Sequence, residues 1–332
     1  MTDKKEFELP NDVLTEPNDD LPADAVADPD ATSPGLGVPP KGPPVPLCLY
    51  HADCVDGFTS AWVVYHHLKG AVELRAAKYG DPLPEDDVMD REVYVVDFSY
   101  PRAVTEKLIR LATKTVILDH HKTAQKALAD LGWGDNHECV FDMHRSGAGL
   151  AWDHLMPGRP RPNLVRYVED RDLWRFALPW SREVSAFIGS YDQTIQQWDV
   201  IAAGLEQPKV LADCVLEGAG IDRQHRRTVA QLANEYRRRM TINGMSVWAV
   251  NAPHTYASDL GHLLAAGEPF AAVYWETAAG RVFSLRSQPG GADVAAIAER
   301  FGGGGHARAA GFTVALTANP EHLHPVAPGH SH

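Results

Sequence analysis

The chain has 332 residues, 44% of them apolar, and a formal net charge of -13 at neutral pH; that length suffices for two packed domains, and that composition excludes disordered and fibrous classes for most of it. No apolar run approaches the roughly 20 residues that cross a bilayer, and the first residues lack a secretory apolar segment, so no membrane partner and a cytoplasmic location are expected. The four cysteines, Cys48, Cys54, Cys139 and Cys214, show no CxxC pairing and read as reduced thiols rather than a disulfide framework or a zinc site.

Residues 1–30 hold ten acids against Lys4 and Lys5, a net of -8, so only -5 is left for the other 302 residues. With the Pro-rich stretch that follows, residues 1–44 are expected to form a disordered tail, too poor in aromatics to offset its ordering entropy. It reads as a solubilising extension, with a partner-docking arm as the alternative. Short Val-, Ile- and Leu-rich runs come next: PLCLYH (46–51), VELRAAK (72–78), EVYVVDF (92–98), TVILDH (115–120) and ECVFD (138–142). Helical stretches alternate with most of them, such as FTSAWVVYHHL and RAVTEKLIRLAT, whose apolar residues recur at three and four. Strands apolar on both faces and joined by helices predict a parallel sheet with right-handed crossovers. Residues 157–240 read as largely helical, with Arg237, Arg238 and Arg239 placed on a helix as a solvated face. The His-rich end, 317–332, is expected to be unstructured.

In such a sheet ligands gather beyond the carboxyl ends of the strands. The first strand runs into HADCVDG, with His51, Asp53 and Asp56; the third ends at Asp97; the fourth ends at Asp119, His120 and His121. Asp170 and Asp172, in YVEDRDLWRF, follow as a further contribution. Helix capping accounts for one acid per helix and for none of the histidines. Carboxylates gathered this closely need a compensating cation. Oxygen donors mixed with imidazole suit manganese or a similar divalent ion, which holds phosphate oxygens and activates water.

At this point the sequence resembles the DHH phosphoesterase superfamily, named for the triplet present here as Asp119, His120 and His121. The likeness spans about residues 46–315 and includes, downstream, FSLRSQ and DVAAIAERFGGGGHARAAGF. It implies an α/β chain: a parallel-sheet DHH domain with its core at 45–156, a helical part and connector at 157–240, and a smaller α/β DHH-associated domain at 241–316. It implies metal ligands at His51, Asp56, Asp97, His120 and Asp170, with Asp97 bridging, and Asp53 and Asp172 ranked lower. Asp119 would steady the site and His121 would face the scissile phosphate. Many relatives carry first-motif aspartates four and six residues after the histidine, where this chain has Val55 and Gly57. The cofactor expected is therefore one or two Mn2+ ions, with Mg2+ or Co2+ as substitutes.

Glycines at 302–305 after a helical pattern let backbone N–H groups approach an anion. Gly303, Gly304 and Gly305, with His306 and Arg286, are the candidate substrate contacts. The leading function is a metal-dependent phosphodiesterase or exonuclease acting on short oligonucleotides or small, including cyclic, nucleotides. Long duplex DNA is not expected, since the core lacks strong positive charge. The alternatives are a pyrophosphatase or exopolyphosphatase, and a nucleotide-binding regulator without turnover. A homodimer is the assembly considered.

Overall fold

The computed structural model describes residues 44–316 and His322–Leu323, so the tails expected at 1–44 and 317–332 fall almost wholly outside the described residues. The first part alternates strand and helix: β1 (Leu47–His51), α1 (Val55–His67), β2 (Glu73–Ala77), a single-turn α2 (Glu85–Val88), β3 (Glu92–Val96), α3 (Arg102–Leu111), β4 (Lys114–Asp119), α4 (Lys122–Leu128), β5 (His137–Phe141) and α5 (Gly147–Leu155). The five strands pair in parallel, in the order β2-β1-β3-β4-β5. Their side chains explain why. Leu47, Leu49, Val93, Val95 and Ile117 enter one apolar cluster, while their neighbours Cys48, Tyr94, Val96, Val116 and Leu118 enter another with α1 and α5. Both faces are thus covered, as the unbroken apolar runs require.

Four helices follow: α6 (Asn163–Asp172), α7 (Ser181–Ile188), α8 (Ile195–Leu205) and α9 (Pro208–Glu235), the last opened by a proline in its first turn. α9 stops before the arginine run. Arg238 and Arg239 lie in β6 (Arg238–Ile242) and Arg237 just before it, so the helix expected there is corrected. Arg239 pairs with Glu268 at 2.8 Å, and the guanidinium groups of Arg237 and Arg239 cover the Trp248 ring. β6 pairs in antiparallel fashion with β7 (Met245–Asn251), so position 241 falls inside a strand.

The second sheet is completed by β8 (Ala271–Thr277), β9 (Gly280–Arg286), β10 (Gly304–His306), β11 (Ala309–Val314) and β12 (His322–Leu323), in the order β10-β11-β9-β8-β7-β6-β12. α10 (Ala257–Leu264) packs on one face and α11 (Val294–Glu299) on the other. Asp293 caps α11 by accepting the amides of Ala295 and Ala296. The helix ends in a left-handed glycine, Gly302, at φ 79°. Its amide bonds to Glu299 O and that of Gly303 to Ala298 O, the paired bonds of a glycine-terminated helix.

Candidate metal centre

β1 lies between β2 and β3, so the sheet grows first to one side and then to the other, leaving a crevice at the carboxyl ends of β1 and β3. His51 closes β1, Asp97 follows β3, and Asp119 closes β4 with His120 and His121 behind it. Asp97 adopts φ 61°, a left-handed backbone that costs a non-glycine residue energy and recurs at functional sites. The side chains of Asp56, Asp97, Asp119 and His120 are all buried.

His120 Nε2 lies 3.0 Å from Asp97 Oδ1, 3.7 Å from Asp172 Oδ2 and 3.8 Å from Asp56 Oδ2. The other oxygen of Asp97 lies 3.4 Å from His51 Nδ1. Asp97 therefore belongs to two groups of three donors, His51 with Cys54 and Asp56 with His120, each group lying within 4.8 Å of itself. Asp56 is fixed by the N-terminus of α5, where Gly147 and Ala148 donate their amides at 2.6 and 3.0 Å. That helix end favours a carboxylate.

Charge is shared out among these groups. Burial opposes a proton on His120, but the carboxylates of Asp172, Asp97 and Asp56 prevail and carry its imidazole up to about 11. Burial likewise disfavours ionised Asp97, yet His120 and His51 hold its carboxyl well below the usual range. Burial and the neighbouring Asp97 and Asp172 push Asp56 well above it. Protons here balance a surplus of buried carboxylate, the balance a divalent cation supplies. His120 Nδ1 is also buried without a hydrogen-bond partner among the described residues. The donor set fits a manganese-like ion.

Asp119 organises the triplet. Its Oδ1 accepts the His120 amide at 2.7 Å, the His121 amide at 3.2 Å and His121 Nδ1 at 2.7 Å, while Ser99 donates to Oδ2 at 2.6 Å. α4 begins directly after these histidines and docks on the second sheet. Gly305 donates its amide to Thr123 Oγ1 at 3.0 Å, and Lys122 pairs with Asp293 at 2.7 Å. This contact brings the His306 ring to 4.7 Å from His120 and 4.5 Å from His121. The DHH triplet and the GGGGH run share one cleft.

Several sequence expectations are corrected. Asp170 joins no donor group among the described residues, and its two oxygens accept the amides of Ala177 and Leu178 at 3.0 and 3.1 Å, pinning the turn after α6. Asp172, ranked lower and flanked in sequence by Arg171 and Arg175, is the acid of this pair that faces His120. Those arginines turn elsewhere, Arg171 to Asp259 at 2.8 Å and Arg175 to His144 O at 2.7 Å. Asp53 turns to Lys78 and joins no donor group among the described residues. The amides of Gly303 and Gly305 are spent on Ala298 O and Thr123, so these two amides serve packing within and onto the second sheet. A Cβ on Gly303 would sit 2.0 Å from Gly311 O. Arg286 is partly buried and donates to Ser284 Oγ, Leu285 O and Ser258 Oγ at 2.8–2.9 Å, with no carboxylate in ion-pair range among the described residues. Burial and then Arg171 lower its guanidinium to about 10. The sequence reading missed Cys54, Ser99, the α5 amides and Tyr79, whose ring lies 5.4 Å from His51 and 5.8 Å from His121. Of these only Cys54, two residues before Asp56, carried a signal.

No protein-family model matches the chain. It is 27% identical over 306 residues to the uncharacterized protein R106 of Acanthamoeba polyphaga mimivirus, covering 85% of this chain and 72% of that one. Among solved structures it is similar to the pGpG-specific phosphodiesterase PggH from Vibrio cholerae, at 13% identity and TM-score 0.43, covering 82% of this chain and 93% of that one. It is similar also to Mn2+-bound RecJ from Thermus thermophilus, at 13% identity and TM-score 0.43, covering 81% and 49%.

Proposed function

We propose that the chain is a metal-dependent phosphoesterase of the DHH type that hydrolyses short oligonucleotides or small nucleotides. The observation that carries this reading is the convergence of His51, Asp56, Asp97, His120 and Asp172 at one sheet edge, with His306 of the GGGGH run stacked against the triplet. Those five residues would hold the metal, with Asp97 offering one oxygen to each donor group. A bound manganese ion supplies Lewis acidity toward a phosphate oxygen and lowers the pKa of water.

The remaining groups orient and hold substrate. Asp119 fixes the ring of His121, which is only partly buried and faces the cleft. Burial, reinforced by His121 and His120, keeps His306 down at about 3, so at neutral pH it offers one N–H and one acceptor nitrogen. Arg286 keeps a partly buried cation without a carboxylate partner among the described residues, which favours an anionic group beside it. Outside residues 1–30 the net charge of -5 does not favour long duplexes, whose binding rests on many phosphate contacts.

Metal-free protein reconstituted with Mn2+ should be offered a linear dinucleotide, a cyclic dinucleotide and polyphosphate. Mononucleotide release supports this reading. Orthophosphate from polyphosphate alone would replace it with a phosphoanhydride hydrolase, and nucleotide binding without turnover would replace it with a regulator.

A further inference from the structure

Asp97 stands between two donor groups of different chemistry. On one side are Asp56 and His120, an oxygen and a nitrogen donor; on the other are His51 and Cys54, a nitrogen and a sulfur donor. We propose that the Cys54 thiolate completes, with His51 and Asp97, a metal site that selects a thiophilic divalent ion such as zinc, cobalt or cadmium. The site of Asp56, Asp97 and His120 then takes manganese or magnesium. The proposal rests on the metal-dependent reading above and makes the two sites chemically unequal.

Placement separates Cys54 from the other three cysteines. Cys48 and Cys214 lie inside an apolar cluster with helices packed round them, and Cys139 packs against the cluster on the other face of the sheet. None of these three belongs to a group of metal-capable donors among the described residues. Cys54 instead lies just beyond the carboxyl end of β1, as the N-cap of α1, with extended backbone at φ -126°. Its Sγ, a nitrogen of His51 and an oxygen of Asp97 lie within 4.8 Å of one another, and Asp97 is itself buried. Three donors from β1's end, α1's start and β3's end meet there, two of them fixed by strand termini. Thiolate is a soft ligand that favours zinc-like ions, whereas carboxylate and imidazole alone favour harder ones. One sulfur in place of one oxygen is the chemical difference between the two sides of Asp97.

The test is spectroscopic. Reduced, metal-free full-length protein is titrated with Co2+. The wild type should show thiolate-to-cobalt charge-transfer absorption in the near ultraviolet beside weaker ligand-field bands in the visible. Cys54→Ser should lose the first and keep the second, and its preference for cadmium over manganese should fall by roughly tenfold or more. Cys54→Asp, which returns a charged donor, guards against a folding defect: it should bind Mn2+ and show no charge-transfer band. On the wild type, cadmium should slow iodoacetamide labelling of Cys54, read by peptide mass, by roughly tenfold. Ligand-field bands without charge transfer in the wild type, or charge transfer persisting in Cys54→Ser, would overturn the assignment of Cys54 and leave the metal reading standing. No cobalt binding at all would overturn both.

Discussion

His306 stacks on His121, with ring centroids 4.5 Å apart and planes 24° from parallel. The pair joins the last strand-end motif of the first sheet to the glycine run of the second, 185 residues further along the chain, and the docking of Gly305 on Thr123 holds it in place. If His306 acts on substrate, His306→Ala should weaken binding of a non-hydrolysable dinucleotide by the worth of a charged hydrogen bond, roughly 1.5–3 kcal/mol. Manganese affinity should stay nearly constant. Calorimetric titration of each ligand checks this; because His120, His121 and His306 lie within reach of a common ion, equal loss of manganese binding would make His306 a ligand instead.

The two acids of α6 should separate cleanly. Asp172→Asn removes the carboxylate facing His120 and should weaken manganese binding while leaving thermal stability near that of the wild type. Asp170→Ala leaves the amides of Ala177 and Leu178 without their acceptor and should cost about 1–3 kcal/mol of stability, with the metal still bound. Denaturation and metal titration on both variants decide it, and the reverse pattern would return Asp170 to the site.

This pair also marks where the sequence stops being legible. The five strands could be read because apolar runs buried on both faces leave little choice of structure, and the rule that ligands gather at strand ends led to His51, Asp97 and the triplet. Residues two apart on a helix point roughly 200° apart, so only the packing of α6 tells which of Asp170 and Asp172 turns inward. The glycine run misled in a different way. Four glycines look like an anion cradle, but Gly303 gives passage to the backbone of Gly311 and Gly304 to Thr123, contacts that depend on partners remote in sequence. Cys54 was read with the other thiols because its neighbours His51 and Asp97 become neighbours only when β1 and β3 pair.

A second network ties the helical segment to α10, and its pH dependence follows from charge. Asp259 accepts from His225 at 3.1 Å and pairs with Arg171 at 2.8 Å and Arg182 at 3.5 Å. Burial works against its ionised form, but His225, Arg171 and Arg182 bring its carboxyl down to about 2. Because the folded value lies below the ordinary one, the stabilisation is complete above about pH 4 and is lost as pH falls through about 2. It amounts to something on the order of 2 kcal/mol. Asp259→Asn should therefore be less stable than the wild type at pH 7, and urea denaturation should show that gap closing between pH 4 and pH 2. A gap independent of pH would mean that Asp259 contributes through packing alone.

The most direct test of the metal centre is calorimetric titration of Mn2+ into metal-free wild type and Asp97→Asn, each in two buffers of different ionisation enthalpy. The proton that the three carboxylates hold on His120 must leave when a metal takes its place. Wild-type binding should therefore release protons, and the heat should change with the buffer. Asp97→Asn should keep its fold yet lose most of its manganese affinity, since its one carboxylate lies in both donor groups. Near-normal manganese binding by Asp97→Asn, or no manganese binding by the wild type, would contradict the account.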